Sequence, residues 1–256
     1  MKRIIGLIYG VVSYAIFFAT FLYAIGFVGN IFVPKGIDSI PNVPLTQALL
    51  INLGLLGVFA IQHSAMARPA FKRWITRYIP KAMERSTYTL VSSLLMIAMF
   101  WLWEPMGGIV WDIENPVGVA LMYAGFAFGW LLVLVSTFLI NHFDLFGLRQ
   151  VWLNFRNKPY TPLEFKLRFA YRVVRHPLYL GWLFAFWCIP TMTVAHLVFA
   201  VATTAYILIA IQLEERDLMD MHPEYKQYKA QVPMIVPFSR KPVGEADIIE
   251  TAASKA

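Results

Sequence analysis

Two short runs of this sequence hold most of its polar chemistry. The first, Arg172-Val173-Val174-Arg175-His176-Pro177-Leu178-Tyr179-Leu180-Gly181-Trp182, gathers cationic and hydrogen-bonding side chains just ahead of a long uncharged stretch. Pro177 suits the first turn of a helix, which places Arg175 and His176 at its mouth, where unpaired backbone N–H groups favour a carboxylate or another anion. The same residues would serve equally as interfacial anchors of a membrane helix. The second run is Glu214-Glu215-Arg216-Asp217, then Asp220, then Met221-His222-Pro223-Glu224-Tyr225-Lys226-Gln227-Tyr228. Between the two, Pro190-Thr191 interrupts the uncharged segment 178–213, so the segment reads as a helical hairpin, 178–189 and 194–213. A hairpin returns its ends to one face. The carboxylates of one end then stand near Arg175 and His176 of the other, either as the floor of a site for a zwitterionic ligand or as interfacial ion pairs worth about 0–1 kcal/mol each if exposed.

A third run, Asn141-His142-Phe143-Asp144-Leu145-Phe146-Gly147-Leu148-Arg149-Gln150, follows another apolar segment. His142 and Asp144 diverge on a continuous helix and converge only if the helix ends here, in which case the pair can act as a general base. The alternative is a capping acid beside an interfacial histidine. His63, flanked by Gln62 and Ser64 near the end of an earlier apolar segment, is of the kind more often used for hydrogen-bonded packing between helices. Cys188 is the single cysteine, which excludes a disulfide framework, a thiolate metal cluster and a Cys-x-x-Cys redox pair. No G-x-G-x-x-G, P-loop or H-E-x-x-H pattern occurs, no metal is implied, and no nucleic-acid motif is present.

These runs must be positioned by apolar elements. Of 256 residues 59% are hydrophobic and only 14% charged, which argues against a soluble enzyme and for a chain that uses lipid as its solvent. Uncharged segments cover about 4–33, 45–67, 87–103 and 117–141, each long enough for the ~20 residues that a hydrocarbon core needs. With the hairpin this makes an all-α integral membrane bundle of five to six spans, since the first hairpin arm is short for a full crossing. The expected organisation is a single domain over 1–240 and a disordered tail over 241–256.

Lys and Arg number 2 before the first span, 1 in 34–44, 6 in 68–86, none in 104–116, 7 in 142–177 and 6 after 213. The positive-inside rule therefore puts both termini, the 68–86 and 142–177 segments and the site itself in the cytoplasm. With no formal charge inside the spans, an ion pump is disfavoured. Met1-Lys2-Arg3 leads into an apolar run without a small-residue cleavage site, so the first helix reads as retained.

The combination Arg175-His176-Pro177-x-Tyr179-x-Gly181-Trp182, then an apolar stretch, then Glu214-Glu215 and Tyr225-x-x-Tyr228 resembles the isoprenylcysteine carboxyl methyltransferase superfamily, which includes phospholipid methyltransferase-like membrane proteins and proteins associated with nitric oxide and nitrite metabolism. That likeness covers roughly 142–238. Within the superfamily, the run from His142 to Trp152 and the chain length are most similar to the bacterial methanethiol S-methyltransferases, a likeness extending from the first span to about Phe238. Met221-His222-Pro223 departs from the Phe-Gly that many relatives place before the paired tyrosines, which puts the local tail geometry in doubt.

The resemblance implies S-adenosyl-L-methionine as cofactor, with Arg175, His176, Tyr179 and Leu180 matching the first half of its motif and Glu214, Glu215, Tyr225 and Tyr228 the second. It implies a small thiol as substrate, a bacterial inner membrane as location, contact with membrane lipid, and neither nucleic acid nor an obligate protein partner. Arg175 can take the cofactor carboxylate, a glutamate its ammonium, and Tyr225 or Tyr228 can stack on it or approach its sulfonium. An alkyl thiol is a weaker acid than free cysteine at ~8.5, so it needs activation, by a His142–Asp144 base or by the field of Arg149. Other acceptors (an isoprenylcysteine carboxylate, a phospholipid amine, another thiol) and a non-enzymatic membrane binding module are the competing readings.

Overall fold

The computed structural model describes residues 1–163, 169–221 and 224–237; the tail 241–256, His222 and Pro223 lie outside the described residues. Five helices are long and apolar enough to cross a membrane. They are α1 (Lys2–Gly29), α2 (Leu45–Ala67), α4 (Glu84–Leu102) with the 3-10 turn Lys81–Met83 that leads into it, α5 (Pro116–Ile140) and α9 (Val194–Met221). The short helix α3 (Pro69–Ile75) follows α2. Arg68, extended at ψ 142 ahead of Pro69, breaks the two apart, as a residue before proline is expected to do. The protein is an integral membrane protein. Lipid offers no partners to backbone N–H and C=O groups, so spanning segments satisfy them internally as helix, and apolar side chains such as Ile8, Leu50, Leu121 and Phe138 face outward.

Beside a core of bulky side chains such as Phe27, Phe100 and Trp103, small and polar residues line parts of the helix contacts. The buried face of α1 includes Gly6, Gly10, Ser13, Thr20 and Ala24, and that of α4 includes Ser86, Thr89 and Ser93. Their hydroxyls fold back onto helix carbonyls, Ser13 Oγ to Tyr9 O at 2.7 Å and Ser93 Oγ to Thr89 O at 2.8 Å, so the helices approach closely without burying an unpaired donor.

The hairpin differs from expectation in both arms. Its first arm, α8 (Pro177–Trp187), has 11 residues and relies on α5. A Cβ on Gly129 would lie 2.4 Å from Ala185 N, and one on Gly181 2.8 Å from Gly129 O, so the two backbones touch where side chains would hold them apart. Past α8 the chain forms β2 (Thr191–Thr193), which pairs antiparallel with β1 (Ile109–Asp112) in a two-stranded ribbon that the all-α expectation did not include. The ribbon has a physical reason: Pro190 ends the helical pattern, and the freed backbone finds partners in Ile113 N, which donates to Pro190 O at 3.1 Å, and in the β1 ladder. The second arm, α9, continues to Met221 rather than ending at 213, so Glu214, Glu215, Asp217 and Asp220 stand on helix and not on a loop. The segment 142–177 likewise carries α6 (His142–Leu145), α7 (Leu148–Phe155) and a 3-10 turn (Phe169–Arg172). The last described helix is α10 (Tyr225–Gln231).

Candidate functional site

The hairpin ends do meet, around one carboxylate. Glu215 is 2% exposed and accepts from Arg175 Nε at 2.7 Å, His176 Nε2 at 3.0 Å and the Tyr225 hydroxyl at 3.5 Å, while Lys229 Nζ reaches its other oxygen at 2.9 Å. A buried charge survives only when it is paired and its lone pairs are filled, and here two elements, the entry to α8 and α10, supply the donors. Because a carboxylate only accepts, His176 carries its proton on Nε2, and its Nδ1 faces Glu214 Oε2 at 4.0 Å.

Arg175 also donates through Nη1 to Lys229 O at 3.0 Å and to Val232 O at 2.5 Å. Its backbone N–H donates to Pro233 O at 2.8 Å and that of His176 to Met234 O at 3.1 Å. Helix α10 and the segment after it are thereby strapped across the entrance of the hairpin. Tyr225 and Tyr228 are 2% and 1% exposed, packed edge to face at 5.4 Å with Leu218, Met219 and Val232 around them, and the Tyr228 hydroxyl donates to Tyr171 O at 2.6 Å. Burial pushes both phenols above the usual tyrosine range. In this arrangement Arg175 and the two tyrosines have become the frame of the site, with ring faces spent on tail packing rather than offered to a ligand.

What the site presents outward is Glu214, with a side chain 46% exposed. Glu214 and the hydroxyls of Tyr206 and Tyr88 lie within electrostatic reach of the Tyr179 hydroxyl. Leu180, next on α8, is half-buried against the bundle core. Next to Glu214 and Tyr179 lies a cluster of polar side chains drawn from α2, α4, α8 and α9. In it Ser64 Oγ and the Tyr206 hydroxyl are 3.1 Å apart, the Tyr88 hydroxyl lies 2.8 Å from His63 Nε2, and the Arg68–Asp217 ion pair at 2.8 Å closes the edge. Tyr88 and Tyr206 are additions to the residues expected from sequence. No linear spacing links them; the only signal was the polar Gln62-His63-Ser64 triplet inside an otherwise apolar span.

The third run is organised differently from expectation. The helix does break at Asn141, with φ 157, yet His142 and Asp144 do not pair. Both ring nitrogens of His142 are engaged elsewhere, Nε2 with the Tyr14 hydroxyl at 2.7 Å and Nδ1 with Thr137 Oγ1 at 2.8 Å. The ring stacks on Phe138 at 4.3 Å, and it is 4% exposed; burial lowers its pKa from the usual histidine range. Asp144 turns instead to Arg149 Nη1 at 2.7 Å and the Tyr160 hydroxyl at 3.2 Å. Arg149 also donates to Thr161 O at 3.0 Å and Thr161 Oγ1 at 2.9 Å, and its pair with Asp144 neutralises its charge locally. The reason is stereochemical: Asn141 caps the new turn, accepting from Asp144 N at 3.1 Å, and this sends the two side chains to opposite sides.

A transmembrane bundle with a polar site at one end, strapped by its own C-terminal segment, defines a class of membrane protein whose chemistry lies where span meets loop. Comparison with known proteins narrows the class. The chain belongs to the NnrU protein family, whose model matches residues 50–235. It is 59% identical over 242 residues to a methanethiol S-methyltransferase of Crocosphaera subtropica, covering 94% of this chain and 95% of that protein. It is 49% identical to the methanethiol S-methyltransferase of Mycobacterium tuberculosis, with 94% and 99% covered. It is also 30% identical to Nurim of Bos taurus over 179 residues, 66% of this chain and 68% of that one. No solved structure matches.

Proposed function

We propose that this protein transfers a methyl group from S-adenosylmethionine to methanethiol, releasing dimethyl sulfide and S-adenosylhomocysteine. The observation that carries the reading is the exposed Glu214 carboxylate beside the Tyr179 hydroxyl and His176, next to a half-buried cluster of polar side chains. The donor set fits the cofactor: a carboxylate for the ammonium or sulfonium, and tyrosine rings and hydroxyls in a partly desolvated wall. The names of the relatives support the reaction. When bound, the cofactor supplies an electrophilic methyl on a sulfonium, so thiolate and sulfonium become two neutral sulfides.

Glu214, His176 and Tyr179 hold and orient the cationic end in this reading. Glu215, Arg175, Lys229, Tyr225 and Tyr228 keep the wall rigid behind them. The basic loops support a cytoplasmic position for this face, and a bacterial inner membrane suits it, because the cofactor enters from water while methanethiol and dimethyl sulfide exchange through lipid. The test is to supply purified protein in detergent with S-adenosylmethionine and methanethiol and to measure headspace dimethyl sulfide with S-adenosylhomocysteine. Equal amounts of both are expected; cofactor binding with no dimethyl sulfide would move the assignment to another acceptor.

A further inference from the structure

We propose that the polar cluster of His63, Tyr88 and Tyr206 forms the docking cleft of the acceptor thiol, and that His63 takes the thiol proton through the Tyr88 hydroxyl. This rests on the methyl-transfer reading above and assigns the proton acceptor that reading lacks. The His63 ring is held at both nitrogens, by the Tyr88 hydroxyl at 2.8 Å from Nε2 and by Ser92 Oγ at 3.3 Å from Nδ1. Ser92 Oγ in turn lies 3.4 Å from Gln62 Oε1, and Gln62 Nε2 donates to Met66 Sδ at 2.9 Å. One direction runs through this chain: Tyr88 donates to Nε2, Nδ1–H donates to Ser92, and Ser92 donates to Gln62.

Imidazole, phenols and an amide inside membrane spans are costly unless paired, and their clustering marks a functional position more often than a packing one. These are not sealed in the core. His63, Ser64, Tyr88, Tyr179 and Tyr206 are all half-buried, on four different helices, and they are linked by the His63–Tyr88 and Ser64–Tyr206 contacts and by the electrostatic reach of Tyr179 to Tyr88, Tyr206 and Glu214. The Phe59 ring, stacked on His63 at 5.2 Å, gives an apolar wall of the kind a small thiol prefers. The Arg85 guanidinium lies 5.4 Å from the Tyr88 ring centroid, so a thiolate formed here meets a positive field; the same charge opposes a proton on His63, and the step goes forward because methyl transfer consumes the thiolate. In the step itself the thiol S–H bond breaks as an O–H bond forms on Tyr88. The original Tyr88 proton moves to His63 Nε2, and the electron pair stays on sulfur as thiolate.

A base is needed only by an acceptor that is not already ionised, and this gives a test that a structural role would not satisfy. Purified protein with S-adenosylmethionine is assayed at pH 8 with methanethiol and with 2,2,2-trifluoroethanethiol, whose fluorines make it extensively ionised there. His63→Gln is expected to lower kcat/KM for methanethiol about 100-fold and that for the fluorinated thiol no more than about threefold. Calorimetric affinity for S-adenosylhomocysteine should be unchanged. Tyr88→Phe should show the same contrast and serves if the first variant does not fold. Equal losses with both thiols, or no loss with methanethiol, overturn the proposal. Wild-type protein that neither binds S-adenosylhomocysteine nor methylates either thiol would instead refute the methyl-transfer reading beneath it.

Discussion

The molecule contains two histidines in nearly the same local setting, and their difference is informative. His63 and His142 each sit at the end of a span, each bonded at Nε2 to a tyrosine hydroxyl and at Nδ1 to a serine or threonine hydroxyl, and each stacked on a phenylalanine. Around His142 the remaining space is filled by Tyr14, Phe143 and Phe146, which leaves 4% of it exposed. The His63 ring is only half-buried, beside the Tyr88 hydroxyl and one residue before the Ser64–Tyr206 contact. Identical first partners thus make a staple in one place and a reactive group in the other. Access, more than hydrogen bonding, separates the two.

The largest way to break the comparison is to remove the frame on which the polar cluster depends. Glu215→Ala leaves Arg175 and His176 buried without their counter-charge, and a loss of about 3–5 kcal/mol is expected, read as a lowered melting temperature in detergent and as proteolysis within 224–237. Next in size is an exchange of effects between the histidines. His63→Gln should reduce methanethiol turnover about 100-fold with little change in melting, whereas His142→Gln should leave turnover per folded molecule within about threefold and lower stability by about 1–3 kcal/mol. Melting curves and dimethyl sulfide assays on the same two samples decide it, and similar activity losses in both would erase the distinction drawn above.

A smaller effect is a pH slope belonging to His142. Burial lowers its folded-state pKa, so as pH falls through ~6.5 the unfolded chain binds a proton that the folded chain does not. Stability should therefore be level above about pH 7 and decline below about 6.5, and His142→Gln should remove that part of the decline; melting temperatures from pH 5 to 8 test this. The smallest effect is expected at Arg149. Its replacement by Gln breaks a partly exposed ion pair with Asp144 and should cost no more than about 1 kcal/mol, with methyl transfer unaltered; a tenfold loss of turnover would restore the third run to the site.

Much of this was legible without coordinates. Pro177, Pro190 and the uncharged segments located the hairpin, and the return of its ends to one face brought Arg175 and His176 to Glu215 as expected. Other features escaped for definite reasons. The ribbon of β1 and β2 depends on pairing between residues about 80 positions apart, which no local pattern announces. The fate of His142 turned on one capping interaction at Asn141, and that of Tyr225 and Tyr228 on how tightly the tail folds back.

The sequence by itself determined that the chain is a membrane helix bundle, that its basic groups gather almost entirely at one face, and that a hairpin unites two charged runs there. Those properties follow from segment length, composition and the high cost of charge in lipid, all of which are additive along the chain. The tertiary structure alone decided which glutamate is buried and which is presented, which histidine is caged and which is half-buried, and that tyrosines from three helices join one polar cluster with His63. Such outcomes depend on the angle and depth at which helices meet, set by close contacts such as Gly129 against Gly181, and exposure created between separate helices leaves no periodic trace in any one of them.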